Sequence, residues 1–329
     1  IKTFDIINRD WHAEPIAFAS DAGGESRKGR RIIVDRRPEI FGPDCFSHQL
    51  QLVVGDYVAK SESNLRLTAS QADELISWIR GKTQLIFLLK EAQLANGNVA
   101  LSVVRAAMTR WTSHHLAYHR LVELQPALSK VVSDDEFRSK GGWPSQIIKG
   151  DRKSKAKAKS MLSILRSGTF WHGLIVMARM LEPLAKAAYI SQATVCRPDQ
   201  VLLMFGSLFR TYTLMPDTEA DVIGRQAILN SLEKRWSKCE QDVYIAAVIL
   251  NPFIRMDAFK RKYNISQVCR PVSLALFDLF SKLFKRFFRA SDDPEGLFDD
   301  ITDYVGHSGP YASFERISKQ LKGAAQRKV

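Results

Sequence analysis

The chain has 329 residues, with 48 Lys and Arg against 35 Asp and Glu, so its net charge is +13. Apolar residues make up 45% and charged residues 25%, which is the composition of a globular protein and excludes a chain that is disordered throughout. No apolar run reaches the roughly 18 residues of a membrane-spanning helix, and four scattered cysteines do not form a disulfide scaffold. The composition predicts a protein without a membrane partner in a reducing compartment. Because the chain begins with Ile1, we also expect a piece of a longer protein.

Short apolar runs separated by turn-forming residues characterise the first 62 residues. Residues 16–20 form a mostly apolar run that is followed by Asp21 and a Gly-Gly pair, which is typical of a buried strand ending in a tight turn. Residues 24–37 predict a helix, although their three consecutive β-branched residues also fit a strand. A short extended piece follows, and residues 49–60 predict another helix. This alternation of strand and helix indicates an α/β layer.

After residue 62, apolar residues recur at helical spacing almost throughout. Ser70 followed by Asp73 resembles a capping box and predicts a helix that begins there. Residues 99–124 predict a long helix or a bent pair, and residues 160–193 predict a helical pair. The stretch near 133–158 is polar and rich in Gly and Lys, which predicts a long mobile loop.

These patterns predict a mainly α protein with two domains. Residues 1–62 are expected to form a partial α/β domain, and residues 63–329 a large all-α domain that carries the basic loop.

Positive charge is concentrated in short stretches of the chain. Residues 27–37 and residues 149–159 each contain six basic residues and one acidic residue, and a third basic group lies within residues 282–289. Clustered Lys and Arg bind polyphosphate backbones by releasing condensed counterions, so nucleic acid is the first partner to consider. A solvated helix face is the alternative for any one cluster. Residues 149–159 also fit a nuclear-import signal, which predicts a nuclear location.

Asp21 is the first candidate for chemistry, because it follows an apolar strand where α/β proteins place their functional groups. A carboxylate there suits Mg²⁺ or Mn²⁺, which prefer oxygen ligands. The alternative is an ordinary turn-forming residue or helix N-cap.

Two further patterns are ambiguous. Cys45 and His48 have the spacing of half a zinc site, and His115 and His119 could supply the other half, but the two pairs are far apart and there is no second Cys pair. We therefore expect no zinc, and a buried cysteine beside a hydrogen-bonded histidine instead. The adjacent residues Arg110 and Trp111 are either a stacked pair without function or part of a binding surface.

Taken in chain order, several segments resemble the hAT superfamily of cut-and-paste DNA transposases, in particular copies common in fungal genomes. The segments are SDAGGESR at residues 20–27, DCFSHQLQLVVGDY at 44–57 and TRWTS at 109–113, followed by LEKRW at 232–236, QDVY at 241–244 and LNP at 250–252.

This resemblance implies an RNase H-like catalytic domain interrupted by a large helical insertion domain, with three acidic residues that hold divalent metal ions. Asp21 matches the second acid, which makes it both the catalytic candidate and the metal ligand. Cys45 and His48 match the family's Cys-x-x-His beside the active site. Arg110 and Trp111 match an Arg-Trp pair linked to flanking hairpin DNA.

The resemblance also implies a function. The chain is expected to be a fragment of a transposase that uses Mg²⁺ or Mn²⁺ in the intact protein, not catalytic alone because the first and third acids are not identified. The alternative is a transposase-derived nuclear DNA-binding protein without catalytic activity. We expect transposon-end DNA as the partner, and a homo-oligomer formed through a missing C-terminal segment. The expected DNA-binding residues are Arg110, Trp111, Lys153, Lys155, Lys157 and Lys159.

Overall fold

A computed structural model of the chain describes residues 2–95, 97, 99–106, 111–193, 196–219, 221–259, 272–313, 316–317 and 320. Within these residues the secondary structure is almost entirely helical, and the β structure consists of two isolated bridges. The prediction of a mainly α protein is therefore confirmed.

Fourteen α-helices and three short 3₁₀ helices are present in the described residues. The α-helices are α1 (Lys2–Trp11), α2 (Gly24–Arg36), α3 (Phe46–Lys60), α4 (Ser63–Arg80), α5 (Thr83–Ala95), α6 (Trp111–Glu123), α7 (Gln125–Lys140), α8 (Arg152–Arg166), α9 (Gly168–Ser191), α10 (Pro198–Leu214), α11 (Val222–Trp236), α12 (Gln241–Leu250), α13 (Val272–Phe288) and α14 (Leu297–Gly306). The 3₁₀ helices are Asp217–Glu219, Arg255–Phe259 and Gly309–Tyr311.

Helix α4 begins seven residues before the predicted capping box. Its apolar stripe already starts at Leu65 and continues through Leu75 and Ile79, all of which are buried. Ser70 is an exposed residue inside this helix, so the prediction of a helix start at Ser70 is wrong. Burial of the continuous stripe decided the helix boundary, and a hydroxyl is tolerated on its exposed side.

Residues 99–106 are not helical, in contrast to the predicted long helix. The side chain of Gln93, which is only 5% exposed, donates to the Leu101 carbonyl at 3.1 Å and accepts from the Leu101 N–H at 2.8 Å. A buried amide that satisfies both backbone groups of Leu101 holds this stretch outside a helix. Helix α6 begins only at Trp111.

The predicted long loop at 133–158 is also corrected. Helix α7 extends to Lys140 and α8 begins at Arg152, so residues 141–151 form the connection. The carboxylate of Asp151 accepts from the Ser154 N–H at 2.8 Å and caps α8. The basic stretch that looked like a loop is therefore the first half of a capped helix.

The chain divides into two compact units. Unit 1 comprises Ile1–Gln49, Ser191–Ser207 and Lys234–Val329, and unit 2 comprises Leu50–Ile190 and Leu208–Glu233. These boundaries differ from the division after residue 62, which stays a prediction about domain organisation.

Unit 2 has a helical core. Helix α4 packs against α5, α6 and α8, and α7 packs against the same three helices. The predicted helical pair over residues 160–193 corresponds to the second half of α8 and to α9.

Unit 1 contains a short parallel pairing. Residues 16–20 and 41–45 run parallel through bridges at Ala17–Phe41 and Ser20–Asp44, and α2 connects the two segments. The Phe18 N–H donates to the Phe41 carbonyl at 2.8 Å, and the Phe41 N–H donates to the Ile16 carbonyl at 2.9 Å. The predicted strand at 16–20 is thus an extended segment with isolated bridges.

Gly42 allows the second extended segment to approach α2. A Cβ atom at this position would lie 2.5 Å from the Cγ2 atom of Val34 and 3.4 Å from the Cγ atom of Arg30, so a larger residue would push the segment away from the helix. The glycine therefore sits between the two bridges because no side chain fits there.

Candidate functional site

The parallel pairing brings Asp21, Cys45 and His48 to one end of the two extended segments. Asp21 follows the first segment directly, and the N–H of Cys45, at the end of the second, donates to the Ser20 carbonyl at 2.7 Å. His48 lies in the first turn of α3, close enough for its charge to act on the Asp21 carboxylate. These three sequence-predicted residues therefore form one cluster in unit 1.

Asp21 is exposed, and its carboxylate is held by its neighbours. One carboxylate oxygen accepts from the Gly23 N–H at 3.0 Å. A side-chain hydrogen bond from Ser26, then the Gly23 N–H and the charges of His48 and Arg30, hold the pKa of Asp21 below its usual value. The group is therefore an ionised carboxylate at neutral pH, at the position where an α/β layer would bind a ligand.

Arg30 organises this end of unit 1, a role that the sequence did not reveal. The residue is 7% exposed, and its guanidinium donates to the carbonyls of Ser20 at 3.0 Å and Asp21 at 3.1 Å. It also forms an ion pair with Asp44. Arg30 is one of the six basic residues at 27–37, and the composition of that cluster favoured contact with DNA. The structure shows instead that Arg30 contacts groups within the protein.

Cys45 and His48 are both half-buried. Cys45 precedes α3, and its carbonyl accepts from the Gln49 N–H at 3.0 Å. The three-residue spacing places Cys45 and His48 on the same side of the first helical turn. Both residues lie near Asp21, and their role beside an active site, like the absence of zinc, stays a prediction.

The metal hypothesis needs a set of converging ligands. Across the residues that the structure describes, no group of three or more His, Cys, Asp or Glu side chains is arranged to hold a metal ion. Asp21 supplies one carboxylate, which already accepts the Gly23 N–H. A centre with two ions about 3.5–4 Å apart needs several carboxylates, so these residues do not fit it on their own.

His115 and His119 lie in α6 of unit 2. Their ring centroids are 5.8 Å apart. Burial, followed by the charge of His119, lowers the pKa of His115. The Nε2 atom of His115 is buried and has no hydrogen-bond partner within the described part of the chain.

Helix α8 divides its four candidate lysines between two flanks. At 100° per residue, Lys153 and Lys157 share one flank, and Lys155 and Lys159 share another about 160° away. The residues Ala158, Met161, Leu162 and Leu165 are buried and face the core between the two flanks. All four lysines are exposed.

The two flanks differ in their neighbours. On the first, Lys157 forms an ion pair with Glu74, and Lys153 and Lys157 line a hollow of about 600 Å³ together with Lys82 and Trp78. On the second, Lys155 and Lys159 are accompanied by Arg152 and Arg166. Arg166 pairs with Glu136, while Arg152, Lys155 and Lys159 have no ion-pair partner among the described residues. The second flank therefore carries the greater uncompensated charge.

The basic clusters at residues 27–37 and 282–289 differ in how many of their side chains form ion pairs. The four basic residues of α13 and its C-terminal end each form an ion pair: Lys282 with Asp242, Lys285 with Asp293, Arg286 with Glu240 and Arg289 with Glu39. This third cluster is consequently not a free cationic surface. In the 27–37 cluster, Arg27, Lys28, Arg31 and Arg36 remain exposed on α2.

Two predicted DNA contacts cannot be placed. Arg110 lies outside the described residues, and so does the side chain of Trp111, although Trp111 begins α6. Their role stays a prediction.

Comparisons of this chain with known protein families, with curated proteins and with solved structures found no match. Among the described residues, no helix is both long and apolar enough to span a membrane.

Proposed function

We propose that the chain derives from a hAT-type DNA transposase and that it acts by binding DNA in the nucleus. The observation that carries this proposal is the cluster of Asp21, Cys45 and His48, three residues singled out by the resemblance, at one end of the parallel segments. Two parallel segments joined by a helix are the repeating unit of an α/β layer. This arrangement supports a partial RNase H-like domain, in which functional groups lie at the carboxyl ends of strands.

In this proposal the chain binds DNA without cutting it. Strand cleavage by a hAT-type transposase would require Mg²⁺ or Mn²⁺ held by three acidic residues, and Asp21 is the one acid of the described cluster in a position to contribute. Binding requires only cations that reach phosphates. Because the cluster supplies one carboxylate where cleavage needs three, we favour the alternative of a DNA-binding protein without catalytic activity. Assembly into homo-oligomers remains part of the hypothesis.

The geometry of α8 limits how its lysines contact a duplex. Because the two flanks point in directions about 160° apart, a duplex that lies along one flank leaves the other in solvent. We expect the flank of Arg152, Lys155 and Lys159 to contact the phosphates, because no acidic neighbour among the described residues neutralises it.

The test compares two double variants with the same change in charge. Binding of the full chain to a labelled 20-base-pair duplex is measured by fluorescence anisotropy between 50 and 200 mM salt. Lys155→Ala/Lys159→Ala is expected to flatten the plot of log K against log salt by about 2, since each phosphate contact contributes about 0.9. Lys153→Ala/Lys157→Ala, the matched control, should change the slope by less than half as much.

Three outcomes would count against this proposal. A flat salt dependence of the unaltered chain would indicate a helical scaffold that does not bind DNA. Equal losses from both double variants would show that net charge, and not the flank, decides binding. If Trp111→Ala lowers affinity for hairpin ends and blunt duplex alike, Trp111 does not have the role at flanking hairpin DNA that the resemblance implies, which would come from stacking on unpaired bases.

A further inference from the structure

Unit 1 contains an apolar cavity that the proposed function does not use. It has a volume of about 630 Å³ and lies among α12, α13 and α14, beside Ile16, Ala17 and Phe41. Its wall is rich in aromatic rings, including Phe280, Phe284, Phe287 and Tyr304. Ligand sites for small molecules have volumes of about 300–1,000 Å³ and walls of this kind.

The cavity lies next to a small core that holds its walls in place. Ile249 of α12, Leu276 of α13 and Ile301 of α14 are buried against one another. The hydroxyl of Tyr304 donates to the Ile249 carbonyl at 2.7 Å, and the Arg255 guanidinium lies 4.3 Å from the centre of the Tyr304 ring. The hydrogen bond and the cation–π contact of Tyr304 therefore hold this part of the cavity wall in place.

Among the described residues that line the cavity, Asp300 is the one that carries a charge. It is exposed and has no ion-pair partner within the described part of the chain. The basic residues of α13 and its C-terminal end are paired with acids other than Asp300. An apolar chamber with a single carboxylate among its lining residues favours a ligand with an apolar body and a positive end.

We propose that this cavity binds a small organic cation, an alkyl- or arylammonium compound. The apolar body would be buried among the phenylalanine rings, and the ammonium group would meet the Asp300 carboxylate. Ammonium groups are also attracted to the faces of aromatic rings, such as those of the phenylalanines that line the cavity. An anionic ligand of the same shape would meet the Asp300 charge and bind more weakly. This inference does not depend on DNA binding.

The first experiment separates the head group from the tail. Three probes with the same eight-carbon chain, octyltrimethylammonium, octanol and octyl sulfate, are titrated into the full chain by calorimetry below their micelle concentrations. We expect the ammonium compound to bind about three- to tenfold more tightly than octanol, and octyl sulfate to bind more weakly than octanol. Equal affinity for all three probes, or no saturable binding, would overturn the proposal.

Two substitutions locate the charge. Asp300→Asn should remove the preference for the ammonium probe and leave the affinity for octanol unchanged. Asp299→Asn is the matched control, because Asp299 is an exposed neighbour that does not line the cavity. If both variants weaken ammonium binding to the same extent, general surface charge and not Asp300 attracts the cation, and the assignment fails.

Two further substitutions locate the tail. Ala247→Phe places a ring at the cavity wall and should weaken all three probes by more than tenfold, whereas Ala59→Phe, on an exposed part of α3, should not. Phe284→Ala enlarges the cavity and should shift the preferred ammonium probe from an eight-carbon to a longer chain. The length preference keeps the site testable even where Ala247→Phe disturbs folding, and an unchanged preference would contradict it.

Discussion

The buried guanidinium of Arg30 shows how one side chain can hold the end of a short parallel pairing. It donates to the carbonyls of Ser20 and Asp21 at the end of the first segment and pairs with Asp44 on the second segment. Its loss would take one donor from each of these carbonyls and remove the ion pair of Asp44, although the Ser20 carbonyl would still accept from the Cys45 N–H.

We expect Arg30→Met to lower the free energy of unfolding by about 2–3 kcal/mol, because hydrogen bonds to a charged group are lost in a buried position. Arg31→Met, at the exposed neighbouring position, is the matched control and should change it by less than about 0.5 kcal/mol. Urea denaturation of both variants measures the difference. Equal small losses would mean that Arg30 is not the support for this segment.

His115 makes the stability of unit 2 sensitive to acid. Burial lowers the pKa of His115, with His119 and Lys186 acting in the same direction and Glu182 against them. The unfolded state, with a histidine pKa of about 6.5, then binds protons more readily than the folded state, so stability is lost as the pH falls below about 6.5.

His115→Gln should therefore reduce the loss of stability between pH 7 and pH 5. His172→Gln, at an exposed histidine in α9, is the control and should leave the pH dependence unchanged. Thermal unfolding followed by circular dichroism at several pH values measures both. An identical pH dependence in the two variants would show that His115 does not carry the effect.

Two glycines within helices differ in the space around them. A Cβ at Gly173 of α9 would lie 2.8 Å from the Thr68 Oγ1 atom and 3.4 Å from the Leu65 Cδ2 atom, both on α4. A Cβ at Gly206 of α10 would meet nothing within 4 Å. Gly173 thus permits close helix packing, whereas Gly206 lowers helix propensity without a packing reason.

The same substitution should change stability in opposite directions at these two positions. Gly173→Ala is expected to destabilise the protein by about 1–3 kcal/mol through overpacking, and Gly206→Ala to stabilise it by about 0.5–1 kcal/mol. Urea midpoints of the two variants provide the measurement. If Gly173→Ala stabilises the protein, α4 and α9 do not approach each other as closely as the structure indicates.

For the whole molecule, the net charge of +13 does not by itself identify a DNA surface. Part of the positive charge, including all of the third basic cluster, is neutralised in ion pairs. Among the described residues, Arg152, Lys155 and Lys159 of α8 have no ion-pair partner, and α2 exposes four basic residues, so the DNA binding proposed above would depend on local groups of charge.

The full chain should not nick supercoiled plasmid DNA with Mg²⁺ or Mn²⁺, because the candidate cluster in the described residues supplies the Asp21 carboxylate alone, and one carboxylate does not hold two metal ions. Gel electrophoresis after prolonged incubation checks this. Nicking that disappears with Asp21→Ala and persists with Asp35→Ala, an exposed acid on α2, would show that the chain completes a catalytic centre and would refute the non-catalytic proposal.

The sequence by itself determined the mainly α character and the positions of most helices, because helical periodicity is a property of neighbouring residues. It also singled out Asp21, Cys45 and His48 by type and spacing. Where it was wrong, at Ser70 and at residues 99–106 and 133–158, burial or capping decided the boundary. Gln93 forms hydrogen bonds with the backbone of Leu101, eight positions away, and Asp151 caps a helix whose basic composition had predicted a loop.

Only the tertiary structure decided which residues act together. It placed Asp21 near His48, buried Arg30, separated the lysines of α8 into two flanks, and formed an open cavity that Asp300 lines. The pairing of Arg289 with Glu39 joins residues 250 positions apart. Such contacts depend on how helices pack, and packing is a property of the folded chain that no local pattern of residue types records.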